Sequence, residues 1–272
     1  MELWYVQNYI ENYQMALKVK ETLYVGRTRF QEIAVLDTYL YGRVLLLDGI
    51  VQTTEKDEFM YHEMLVHPAM VTHPSPRKVF VVGGGDGGAS REILRHPVDE
   101  VVLVDIDEGV IEVCQKYFPQ LGRWDDPRLR VYIGDAAEYI ARTEEIFDVI
   151  IMDSTDPIPR GVAEPLFSSK FYRDAFAHLS PDGILVSQME PPFFEEERVK
   201  KLWKHLGVFP ILRLYWGLVP TYPGGVWSYI LASKRYDPAC VKREPSFSTR
   251  YYSPRIHQAA FVLPPFLEEM FR

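Results

Sequence analysis

Over its first 54 residues the chain alternates apolar and polar positions, as in RFQEIAVLD (29–37) and GRVLLLDGIVQTT (42–54), with Gly26, Gly42 and Gly49 as punctuation. A period of two with glycine breaks predicts a small antiparallel β unit over residues 1–54. From Glu55 to Val71 the rhythm lengthens, and Phe59, Met60, Met64, Leu65 and Met70 recur at helical spacing. A helix is therefore expected within 55–76, joining the β unit to a larger domain over 55–272. After Pro76 the apolar runs KVFVV, EVVLVDI, RLRVYI, FDVIIMD and GILVSQ alternate with helix-like stretches near 88–96, 108–118, 136–143, 168–179 and 195–206. Such alternation predicts an α/β domain with a mostly parallel sheet and helices on both faces. The last runs, PILRLYWG and VWSYILASK, have only a loop between them, which predicts an antiparallel edge, with the strand after Tyr222 at the edge.

Composition changes this picture little. The chain is 47% hydrophobic and 25% charged, without low-complexity runs, so it is expected to fold throughout its 272 residues. A formal net charge of -8 disfavours nucleic acid and anionic membranes as partners. Cys114 and Cys240 lie in unrelated contexts, which argues against a disulfide framework and for a reducing, cytoplasmic location. The start of the chain has no basic leader, and no apolar stretch approaches the ~20 residues of a membrane span.

The candidate chemistry begins at VVGGGDGGASRE (81–92). A strand, a glycine-rich turn with Gly83 and Gly85, and a helix place backbone N–H groups where an adenosyl or phosphate ligand can be cradled. Asp105 ends the next strand, where an acid can hold ribose hydroxyls. Asp86, in the middle of the turn, narrows the ligand. Beside a pyrophosphate its charge is repulsive by several kcal/mol at short range, so a dinucleotide is disfavoured. The cationic sulfonium of an S-adenosyl ligand suits it better. Ordinary S-adenosylmethionine carries a tail carboxylate that Asp86 repels, whereas the decarboxylated form keeps only the amine. A solvated turn acid or a helix cap is the plainer reading of Asp86.

A second acid pair follows the fourth apolar run of the α/β domain, in FDVIIMDSTDP, where Asp153 and Asp156 should face the same crevice at the carboxyl ends of the strands. An amine nucleophile with a pKa near ~10 must lose a proton before it attacks, and a carboxylate can take it. The second acid can hold the far end of a diamine, although a capping role for both remains an alternative. Tyr61 and Tyr222 can flank a polymethylene chain while their hydroxyls bind amines. HEMLVH (62–67) superficially resembles a zinc-protease helix, but its histidines are spaced i, i+5 and at ~100° per residue point to different sides, so no metal is expected.

With these residues assembled, the sequence resembles the spermidine synthase (polyamine aminopropyltransferase) family along nearly its whole length. The stretches that carry the resemblance are LLLDGIVQTTEKDEFMYHEMLVHPAM, VVGGGDGGASREILRHP, LVDIDEGVIE, DVIIMDSTDP, FPILRLYWGLVPTYPGGVWSYILASK and HQAAFVLPPF. The resemblance implies a small β domain joined to a methyltransferase-like Rossmann domain, in a homodimer or homotetramer. It also implies transfer of the aminopropyl group of decarboxylated S-adenosylmethionine, as co-substrate, to putrescine. Carried onto this sequence, Asp153 deprotonates the amine with help from Tyr61, while Asp156, Tyr222 and Glu190 hold the acceptor. Asp86 and His62 bind the aminopropyl amine; Gln52, Asp105, Asp135 and Ala136 contact the nucleoside along with the glycine turn. The stretch IPRGVAEPLF (158–167) is the expected lid, slightly longer than the family's common form, with Arg160 facing solvent or paired with Glu164. Alternative readings are an agmatine or longer-polyamine acceptor, an S-adenosylmethionine methyltransferase, which Val81 and Asp86 argue against, and a non-catalytic polyamine binder.

Overall fold

The computed structural model describes residues 2–156 and 161–271. Five strands, β1 (Leu3–Ile10), β2 (Tyr13–Arg27), β3 (Glu32–Thr38), β4 (Gly42–Leu47) and β5 (Ile50–Thr54), form an antiparallel sheet in sequential order. Its inward residues Ile33, Val35, Leu45 and Leu47 pack against Val110, Val113 and Phe118 of the second unit.

Helix α1 (Glu58–Thr72) starts three residues later than the sequence spacing predicts. The delay has a local cause. Thr54 Oγ1 donates to Asp57 Oδ1 at 2.6 Å, while Asp57 Oδ2 accepts from Thr221 N and Oγ1 at 2.9 and 2.7 Å. Asp57 occupies the N-cap position but makes no capping bond to its own helix; it ties the helix start to a distant loop instead.

The remaining strands are β6 (Lys78–Gly83), β7 (Glu100–Asp105), β8 (Leu129–Ile133), β9 (Phe147–Asp153), β10 (Leu179–Glu190), β11 (Ile211–Leu218) and β12 (Val226–Ser233). They form one sheet in the order β11-β12-β10-β9-β6-β7-β8, parallel from β10 to β8 and antiparallel at β12 and β11. The central strands are buried on both faces, which explains their unbroken apolar runs. The strand that follows Tyr222 is not the edge: β12 lies one place inside it, and β11 forms the margin.

Helices α2 (Gly88–Ile93), α3 (Glu108–Tyr117), α4 (Ala136–Arg142), α5 (Ser169–Ala177) and α6 (Glu196–His205) fall where the periodicity predicts, each ending one to three residues earlier. The short helices α7 (Pro254–Ala260) and α8 (Pro265–Glu269) were not evident from the sequence pattern. Cys114 and Cys240 are both free thiols. Among the described residues no helix is long and apolar enough to cross a membrane.

Candidate active site

The parallel register decides what meets at the carboxyl ends of the strands. Gly83 lies opposite Asp153, and Gly84 N donates to the Asp153 carbonyl at 2.7 Å. The approach is so close that a Cβ on Gly83, whose φ is +77°, would fall 2.5 Å from that carbonyl oxygen. Glycine is needed here for both space and backbone conformation. Asp105, at the end of the neighbouring strand, accepts from Gly85 N through Oδ2 and from Asp107 N through Oδ1, both at 2.9 Å. Asp86 Oδ1 accepts from Gly88 N at 2.8 Å, so it also serves the local turn, as the plainer reading required.

These residues line one open cleft of about 1240 Å³ counted out to its mouth. Of the positions singled out in the sequence, Gln52, Tyr61, Gly83, Gly85, Asp86, Asp105, Asp135, Ala136, Asp153, Asp156 and Tyr222 all reach its wall. Asp135 caps α4 by accepting from Ala137 N and Glu138 N, which leaves its second oxygen free of that duty. Two expected residues stand elsewhere. His62 is buried behind Asp86, and Glu190 is fully buried, with Oε1 taken by Arg198 Nη1 at 2.7 Å; neither lines the cleft. Glu190 also has a positive φ of 99° at a bulge between β10 and β12, which turns its side chain out of the strand's regular alternation.

Within the cleft the acids differ in protonation. Burial, reinforced by the negative charge of Asp86, pushes the Asp153 carboxyl up to about 7. Its Oδ1 accepts from Tyr61 Oη at 2.9 Å, and its Oδ2 is closed off from water without a hydrogen-bond partner in the protein. Asp156 is raised to about 6 by burial, against the opposing hydrogen bond from Gln188 Nε2 at 3.2 Å. Asp105 is raised to about 6, again by burial. Asp86 behaves oppositely: burial opposes its charge, but the neighbouring His62 prevails and holds it below the usual carboxylate range. Burial, with Asp153 nearby, keeps the hydroxyls of Tyr61 and Tyr222 protonated, and Tyr222 Oη donates to Gln52 O at 2.6 Å.

His62, Asp86 and Asp153 bring one ligand atom each within 4.8 Å of one another. Both ring nitrogens of His62 already face carboxylates, Glu58 at 2.7 Å and Asp86 at 3.3 Å, so the ring has no lone pair directed at an ion. The other histidine of the HEMLVH stretch, His67, faces His96 and Glu92 and does not line the cleft.

Sequence reasoning missed several wall residues. Gln7 and Tyr9 reach the cleft from β1, Gln188 from β10 and Trp227 from β12. Of the expected lid, Val162, Ala163 and Leu166 line the cleft, whereas Arg160 lies outside the described residues.

Known proteins supply the frame for this geometry. Residues 58–244 match the family described as the spermine/spermidine synthase domain, and residues 3–55 the one described as the spermidine synthase tetramerisation domain. The chain belongs to the spermine and spermidine synthase family. It is similar to curated polyamine aminopropyltransferases: 50% identical to that of Thermoanaerobacter sp. (strain X514), over 100% of this chain and 99% of the relative. To that of Clostridium kluyveri it is 48% identical, over the full length of both. Among solved structures, a spermidine synthase bound to the transition-state analogue AdoDATO superposes with a TM-score of 0.94 at 41% identity, covering 98% of this chain and 94% of the other. The spermidine synthase of Thermotoga maritima gives 0.92 at 39% identity, covering 98% and 93%. Membership of this family of polyamine aminopropyltransferases accounts for both sheets, since the family profiles divide between them.

Proposed function

We propose that the protein transfers the aminopropyl group of decarboxylated S-adenosylmethionine to putrescine, giving spermidine and methylthioadenosine. The observation that carries the reading is the row of carboxylates Asp86, Asp153 and Asp156 along one cleft beside the glycine turn. Asp105 and Asp135, at the ends of neighbouring strand and helix, are suited to the ribose and adenine, with Gly83, Gly85, Gln52 and Ala136 against the nucleoside. Asp86 then receives the tail ammonium of the donor, and a tail carboxylate there is repelled.

In the transfer itself the lone pair of the acceptor nitrogen forms the new C–N bond while the C–S pair stays on sulfur, leaving a neutral thioether. A sulfonium is already an activated leaving group, so the protein has to orient the amine, exclude water and take a proton. Asp153 takes it: its side chain stands on the wall of the cleft, and the Tyr61 hydroxyl fixes the orientation of the carboxylate through Oδ1. A titration point of about 7 suits a base working near neutrality. Asp156 and Tyr222 hold the other ammonium. The match to the tetramerisation domain, together with exposed Leu3, Trp4, Val6, Val25, Tyr39 and Leu40 on the small sheet, supports assembly into a homodimer or homotetramer.

Mass-spectrometric turnover with decarboxylated S-adenosylmethionine against putrescine, agmatine, cadaverine and spermidine tests the reading, with the intact donor as control. Methylthioadenosine and spermidine as the dominant products support it. A different dominant amine corrects the acceptor, and product with the intact donor alone overturns it.

A further inference from the structure

The carboxylate in the glycine turn stands at the end of a buried row of alternating charges. His62 lies between two acids, with Nδ1 2.7 Å from Glu58 Oε2 and Nε2 facing Asp86 Oδ2 at 3.3 Å. Arg91 grips both oxygens of Glu58, at 3.2 and 2.8 Å, and turns its Nε to Glu92 at 2.9 Å. Arg95 closes the other oxygen of Glu92 at 2.6 Å. The side chains of His62, Glu58 and Glu92 are only 2%, 8% and 4% exposed. Ionised carboxylates only accept hydrogen bonds, so a ring flanked by two of them presents N–H on both sides and carries a positive charge.

Two features of the backbone hold that ring in place. Helix α1 sets Glu58 one turn before His62, and Gly88 leaves its α-carbon bare where a Cβ would fall 2.2 Å from His62 Cε1. The titratable and charged groups in or facing the row are Glu58, Tyr61, His62 and His67 from α1, Asp86 from the turn, Arg91 and Glu92 from α2, Arg95 just beyond it, and Asp153 from β9, with His67 3.2 Å from Glu92 at the end away from Asp86. Asp86 also feels Asp105 and Asp153, two carboxyls of like charge in the same desolvated crevice. Without a fixed cation beside it, such a carboxylate takes up a proton and no longer attracts an ammonium.

We propose that Glu58, Arg91 and His62, none of which lines the cleft, are positioning residues that keep Asp86 ionised and aimed at the ammonium of the donor's propyl tail. The inference rests on the donor assigned above. It differs from the expectation that His62 binds the amine itself: His62 acts through Asp86.

The test compares two ligands by calorimetry at pH 7.5: decarboxylated S-adenosylmethionine, which has the tail ammonium, and methylthioadenosine, which lacks the tail. Glu58→Gln removes the anion behind His62, and Gly88→Ala displaces the imidazole without changing any charge. Each variant should bind the donor about tenfold more weakly or worse while holding methylthioadenosine within about twofold. Equal losses for both ligands, or an unchanged donor affinity, overturn the proposal. Nitrogen NMR of the histidine rings checks the row independently of any ligand: the His62 signal, assigned with His62→Gln, should report a doubly protonated ring at pH 8 that becomes neutral in Glu58→Gln. A neutral ring in the parent protein sinks the proposal. A parent protein with the doubly protonated ring that binds neither nucleoside refutes the donor assignment and leaves the row supported.

Discussion

Replacing Asp153 by Asn should abolish most turnover and make the protein more stable. Burial and the neighbouring charge of Asp86 raise this carboxyl from 3.8 to about 7 in the fold. A raised carboxyl contributes stability in its protonated form. That contribution is fully present below pH 3.8 and is lost as the pH rises through about 7. Three pH units at ~1.4 kcal/mol each give about 4 kcal/mol, and sharing the effect with Asp86 reduces the part removable at one residue to about 2 kcal/mol. Asparagine keeps the acceptor that the Tyr61 hydroxyl needs and cannot ionise, so it escapes the penalty. For a chain of this size the gain corresponds to a Tm increase of roughly 4–8 °C at pH 8, vanishing near pH 4. Loss of the base should lower kcat by about 10²–10⁴-fold with nucleoside affinity retained. Scanning calorimetry at the two pH values, beside methylthioadenosine release, reads both effects. A variant that melts at or below the parent temperature at pH 8 refutes the electrostatic reasoning, and turnover within about threefold of the parent removes Asp153 from the base role.

Tyr61→Phe deletes the 2.9 Å hydrogen bond that favours ionised Asp153; the acidic limb of the kcat/KM profile should move to higher pH, and an unmoved limb would detach Tyr61 from the base. Gly83→Ala places a methyl 2.5 Å from the Asp153 carbonyl at a φ of +77°, so equilibrium unfolding should show a loss of more than about 2 kcal/mol, and a parent-like curve would contradict the close approach. Asp57→Ala strips three hydrogen bonds that join Thr54, the start of α1 and the loop before Tyr222. It should raise the acceptor KM more than the donor KM in steady-state kinetics, because Tyr222 loses its support while the glycine turn does not.

The parts of the fold readable in the sequence were those with a local cause. Unbroken apolar runs marked strands buried on both faces, and Asp86, Asp105 and Asp153 could be placed because each follows a strand at its carboxyl end. Asp57 and Gln188 were missed because their partners, Thr221 and Asp156, are distant in sequence and no spacing rule connects them. Gln7 and Tyr9 escaped notice because a strand of the small sheet reaches the cleft only through the packing of two sheets. His62 and Glu190 were expected at the wall by resemblance, and their seclusion depends on side-chain partners, Asp86 and Arg198, that residue type alone does not reveal. The helices α7 and α8 are too short for periodicity to register.

Because the wall of the cleft draws on Gln7 and Tyr9 at one end of the chain and on Trp227 near the other, a bound molecule acts as mortar between the two sheets. Binding energy is then returned as resistance to opening across the seam, not only around the ligand. Limited digestion should reflect this: occupancy ought to protect peptide bonds in the amino-terminal meander and in the carboxyl-terminal strands together.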